Sequence, residues 1–133
     1  MAVVSTESVP IQSEPDVVTV RRRVREVSAQ LGLSLVDQTK IITAASELAR
    51  NAIIYGGGGS VQVQTLNGPR VGLRLTFEDH GPGIPDVELA LRDGFTTGTG
   101  LGLGLGGSKR LVNEFEIVSR PGEGTRITIT RWK

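Results

Sequence analysis

Residues 60–79 read SVQVQTLNGPRVGLRLTFED, and the folding of this stretch decides the layout of the chain around it. Val61 and Val63 alternate with glutamines before the turn residues Asn67–Arg70, and Leu73, Leu75 and Phe77 alternate with Arg74 and Thr76 after them. Successive strand side chains point to opposite faces, so two such runs joined by Asn, Gly and Pro predict an antiparallel hairpin with one apolar face. A sheet of that kind needs cover on one side only.

The cover comes from upstream. Val17, Val20, Val24, Val27 and Leu31 recur at helical spacing behind Ser13 and Asp16, which predicts a helix from Glu14 to Leu31, ended by Gly32. Ser34 is a second N-cap, and Val36, Ile41, Ala45, Leu48, Ala49 and Ile53 carry a second helix to Tyr55, where the glycines at 56–59 stop it. Before both, Glu7–Gln12 alternates around Pro10 and reads as an edge strand, since proline cannot donate to a ladder. Downstream, a short helical piece is expected at Val87–Arg92, a helix in SKRLVNEF (108–115), and strands in FEIVSR (115–120) and TRITITRW (125–132) around the turn PGEG. The expected fold class is an α+β two-layer sandwich, a mixed sheet of about five strands with three helices on one face, as a single domain over residues 1–133.

Composition excludes several functions. The chain has 133 residues and a net charge of +1, so it has no bulk attraction to nucleic acid or to a membrane surface. It has no cysteine and a lone His80, which rules out disulfides, thiolate metal sites and a histidine metal cluster. No apolar run reaches the length of a membrane span, and MAVVSTESVP lacks the pattern of a signal peptide, so a cytoplasmic protein is expected.

Four stretches stand out, and each taken singly also has a plain structural reading. SELARN places Glu47 and Asn51 four residues apart on one helix face, either a solvated stripe or a carboxylate and an amide oxygen aimed into one cleft. A carboxylate suits the activation of a hydroxyl, and an amide oxygen is a hard ligand suited to Mg²⁺. DHGPGI (79–84) ends the second strand of the hairpin, either as turn chemistry or with Asp79 accepting from an exocyclic amine and Gly83 letting a flat base lie against the backbone. In FTTGTGLGLGLGGSKRL (95–111), leucines stand between the glycines where a tether would carry polar residues. That favours a packed loop offering N–H groups to phosphates at a helix start. Gly102, Gly104 and Gly107 satisfy a dinucleotide fingerprint but lack its βαβ context, and no Walker pattern is present. The fourth stretch, GEGT (122–125), opens the last strand.

In this order the four resemble the ATP-binding domain shared by gyrase, Hsp90, histidine kinases and MutL, the GHKL superfamily with its Bergerat-type fold. SELARN, GPGIPD, DGFTT and KRLVNEFEI are similar to the stand-alone anti-sigma-factor type serine/threonine kinases of bacterial stress signalling. The resemblance implies that Asn51 holds Mg²⁺, that Glu47 acts on the acceptor hydroxyl, that Asp79 recognises the adenine amine and that Thr125 supports the base. It implies that Gly81, Gly83 and Ile84 shape the base pocket and that Gly98, Gly100, Leu101, Gly102, Leu103 and Gly104 wrap the phosphates of ATP. Some relatives carry a basic residue in that loop, but residues 97–107 contain no Lys or Arg here. Lys109 and Arg50 are the candidates for that charge, and low nucleotide turnover before a partner docks is expected. The implied activity is ATP-dependent phosphorylation of a serine or threonine on a STAS-domain antagonist protein, within a stressosome-type partner-switching pathway. A PP2C-type phosphatase is the implied second partner, with no nucleic acid and no membrane. The alternative is a nucleotide-switched anti-sigma or phosphatase-activating module with little catalysis.

Overall fold

A computed structural model of the protein describes residues 2–91 and 104–133. In chain order it contains β1 (Ala2–Ile11), α1 (Glu14–Gln30), α2 (Leu35–Ile54), β2 (Gly59–Asn67), β3 (Gly72–Asp79), α3 (Val87–Ala90), α4 (Gly104–Arg110), β4 (Glu114–Arg120) and β5 (Gly124–Trp132). The hairpin forms as expected, with Val61 opposite Phe77 and Val63 opposite Leu75. The strands lie in the order β1-β2-β3-β5-β4.

All four neighbouring pairs are antiparallel, so the expected mixture of strand directions is replaced by an antiparallel sheet. The reason is the placement of β5. β3 and β4 run in the same direction, but β5 is inserted between them and pairs antiparallel with each.

α1 and α2 pack on each other and cover one face of the sheet, burying Val17, Val20 and Val24 of α1 and Ile41, Ala45 and Leu48 of α2. These meet Val61, Val63, Leu73, Leu75, Phe77, Ile127 and Ile129 from the strands, giving an almost wholly aliphatic core. The starts of both helices are fixed locally. Asp16 Oδ2 accepts from the N–H groups of Gln12 and Ser13, and Ser34 Oγ accepts from Asp37 N–H at 3.1 Å. Arg131 on β5 reaches across to the first turn of α2, where its Nη2 donates to Asp37 Oδ1 at 2.6 Å. The Arg131 guanidinium holds the Asp37 carboxyl below the usual aspartate range. On the opposite face of the sheet, Gln62, Arg74, Glu78, Arg126 and Thr128 form a polar surface.

Two elements differ from the sequence expectation. β1 begins near the N-terminus, not at Glu7, because its first half pairs with β2 while Val3 and Val4 stay exposed, leaving no inward-outward alternation to read. It does lie at the edge of the sheet and accommodates Pro10 there. The helix expected at 108–115 spans Gly104–Arg110, and β4 already starts at Glu114. Glycine is a poor helix former, but Leu105, Gly106, Gly107 and Ser108 are all buried and α4 packs against α2, so close packing overrides propensity.

Candidate functional site

One end of the sheet opens into a cavity of about 440 Å³. The last turns of α2 form one wall, the end of β3 and the loop after it another, and α3, the start of α4 and the start of β5 close the remainder. Leu48, Ala52, Phe77, Leu89, Leu105 and Ile127 give it apolar sides, against which a few polar groups are set. That is the usual construction of a small-molecule site.

Glu47 and Asn51 both line the cavity, one helical turn apart on α2. Glu47 is buried at 9% exposure, and its Oε2 lies 3.6 Å from Arg50 Nη1, whose guanidinium also approaches Glu14 at 3.9 Å. A carboxylate taken largely out of water thus keeps a neighbouring positive charge. Among the described residues no three His, Cys, Asp or Glu side chains gather, so the cavity has no cage for a metal held by protein alone.

Asp79 sits across the cavity, at the point where β3 leaves the sheet. Its Oδ1 accepts from Gly81 N–H at 3.0 Å, which fixes the carboxyl and leaves its other oxygen for a ligand. The carboxylate fits there only because Gly56 has no side chain, since a Cβ at that position would collide with it. The loop after Asp79 is stitched to the β4–β5 hairpin, with Gly122 N–H donating to Pro82 O at 2.9 Å and Ile84 N–H donating to Ser119 Oγ at 2.7 Å. Gly83 adopts φ +79°, a conformation suited to glycine, and a Cβ there would collide with the Arg120 carbonyl. Thr125 lines the cavity from the start of β5 and shares a 2.8 Å hydrogen bond with Ser119 Oγ.

Of the residues singled out in the sequence, Glu47, Asn51, Asp79, Gly83, Ile84, Gly104 and Thr125 are therefore brought to one cavity. Gly81 supports Asp79 from outside the lining. Lys109 is exposed on α4 and does not line the cavity, because α4 turns its Leu105 side inward. Gly98, Gly100, Leu101, Gly102 and Leu103 lie outside the described residues.

Residues 19–133 match the family of histidine kinase-, DNA gyrase B- and HSP90-like ATPases. The chain belongs to this ATPase family. It is 46% identical over 125 residues to the serine/threonine-protein kinase RsbT of Bacillus subtilis, covering 93% of this chain and 94% of that one. It is 32% identical over 117 residues to the anti-sigma F factor of a Thermoanaerobacter species, covering 84% and 82% of the two chains. In fold it is similar to the RsbU and RsbW domains of a Mycobacterium tuberculosis protein, with a TM-score of 0.67 at 24% identity over 97% of this chain and 33% of that one. The mycobacterial sensor histidine kinase MprB has a TM-score of 0.57 at 22% identity over 96% of this chain.

Several cavity residues of this ATPase-family chain were not among the individual site residues expected from the sequence: Tyr55, Gly56, Phe77, Asp86, Leu105 and Ile127. Phe77 and Ile127 were legible as inward strand positions, and their direct pairing across β3 and β5 places them together under the cavity. Ser119 carried no signal, since its importance arises only from the pairing that sets it opposite Thr125.

Proposed function

We propose that this chain is an ATP-dependent serine/threonine-protein kinase that transfers a phosphoryl group to a hydroxyl of a STAS-domain antagonist protein in the cytoplasm. The carrying observation is the pairing of Glu47 and Asn51 on one wall with Asp79 and Thr125 on the other. We read the Asp79 and Thr125 side as the base-binding end and the Glu47 and Asn51 side as the reacting end. The 46% likeness to a kinase along nearly the whole chain supports the same reading.

Asp79, its carboxyl fixed by Gly81, accepts a hydrogen bond from the amine of adenine, and the apolar walls hold the ring. Buried Glu47 orients the acceptor hydroxyl and takes its proton. Arg50 beside it keeps the carboxylate in place. The Asn51 amide oxygen is a suitable single protein ligand for Mg²⁺, an ion that retains water and phosphate ligands and does not require a cage. When bound, that ion would neutralise charge on the phosphates. No helix among the described residues is long and apolar enough to cross a membrane. A PP2C-type phosphatase is proposed as the second partner of the switch.

The test is label transfer from γ-labelled ATP to a STAS-domain protein, comparing the natural chain with Glu47→Gln. Removal of a general base lowers transfer about 10²–10⁴-fold while ATP binding stays within about threefold. Binding of ATP without label transfer to any STAS-domain protein would instead establish the nucleotide-switched binding module, the reading favoured by the likeness to anti-sigma F factor.

A further inference from the structure

Ser119 lies on β4, opposite Thr125 in the β4–β5 register, and makes three contacts that converge on the base-binding end of the cavity. Its Oγ accepts from Ile84 N–H at 2.7 Å, lies 2.8 Å from Thr125 Oγ1 and lies 3.4 Å from Gly124 O. Both Ile84 and Thr125 line the cavity, so one hydroxyl joins two of its walls.

A serine hydroxyl has one proton, and it can be given to Thr125 or to the Gly124 carbonyl but not to both. The 2.8 Å contact has the length of a good hydroxyl–hydroxyl bond, whereas 3.4 Å is beyond the usual range. We propose that Ser119 is a positioning residue for base selection: it donates to Thr125 and thereby directs the Thr125 proton into the cavity, toward an accepting ring nitrogen of the purine. This rests on the reading of the cavity as a nucleotide site and adds a second discriminating element to Asp79. Adenine carries an accepting nitrogen at the ring position next to its amine. Hypoxanthine carries N–H there and meets the Thr125 proton with another donor.

Affinities for ATP and for ITP are measured on the natural chain, Ser119→Ala, Ser119→Thr, Thr125→Ala and the double variant Ser119→Ala/Thr125→Ala, with thermal melting of each recorded alongside. ITP lacks the amine in every case, so the contribution of Asp79 to the ATP/ITP ratio is common to all five proteins. Loss of one hydrogen bond predicts that Ser119→Ala lowers the ratio about three- to tenfold, that Ser119→Thr retains it, and that Ser119→Ala has no further effect on it once Thr125 is alanine. A role confined to folding would weaken both nucleotides alike and leave the ratio unchanged, which would overturn the proposal. A ratio that rises in Ser119→Ala would overturn it too, because it would mean that Thr125 had been donating to Ser119 and was released toward the ligand. A natural chain that binds neither nucleotide would remove the nucleotide reading itself, and with it the role of Ser119.

Discussion

A single methyl group at Gly56 would occupy the space of the Asp79 carboxylate. Gly56→Ala is therefore expected to displace Asp79 and weaken ATP binding about ten- to hundredfold, the equivalent of about 1–3 kcal/mol of overpacking. Gly57→Ala is the matched control. Gly57 has φ +72° and nothing within 4 Å of a Cβ, so the substitution costs about 1–2 kcal/mol of backbone strain and leaves affinity unchanged. Calorimetric titration with ATP and thermal melting of both variants separate the two effects. Equal affinity losses in both would refute the steric account. Neither glycine was distinguishable in the sequence, where the run 56–59 was legible only as the end of a helix. Asp79 was legible as part of the Asp-x-Gly-x-Gly stretch in its order with the other three, whereas the glycine that makes room for it lies 23 positions upstream and meets it only in the folded chain.

The elements were largely readable from period and punctuation, and the exceptions share a cause. α1, α2 and the β2–β3 hairpin bury one face each, so their apolar residues recur with the right spacing. α4 fails that rule because, apart from Leu105, its buried residues are glycines and a serine, and the first half of β1 fails it because it buries almost nothing. The Asp37–Arg131 bond joins the first turn of α2 to β5 across 94 positions, beyond the reach of any local pattern. Arg131 lowers the Asp37 pKa in the folded chain, so the bond contributes fully above the ordinary aspartate value of about 4 and is lost as pH falls through the depressed folded value. Asp37→Asn is expected to cost about 1–3 kcal/mol at neutral pH, with the gap to the natural chain closing below about pH 4. Denaturant unfolding of both proteins from pH 7 to pH 2.5 gives that difference directly. A constant gap over the range would show that the charge on Asp37 does not contribute.

At the scale of the molecule, the helices stabilise one face of the sheet while the cavity occupies one of its ends. The residues proposed as its reacting and base-binding groups were legible through the order of their four stretches along the chain, since each stretch taken singly also has a plain structural reading. The apolar walls were not, since Phe77, Leu105 and Ile127 are indistinguishable in sequence from ordinary core residues. With no Lys or Arg between residues 97 and 107, phosphate charge has no cation from that segment. ATP turnover is therefore expected to rise at least about tenfold when a STAS-domain protein, the proposed partner, is added, a change of about 1.4 kcal/mol in the barrier. Steady-state turnover with and without partner measures this, and equal rates would refute it. The crowding around Asp79 also bears on how such a protein changes over generations. Side chains gained at Gly56 or Gly124 collide with Asp79, and one at Gly81 collides with the backbone of Gly56. On the proposed reading of Asp79 as the adenine-recognising group, this crowding shields nucleotide preference from gradual retuning by neighbouring substitutions, and a lineage that abandons adenine has to replace the aspartate itself.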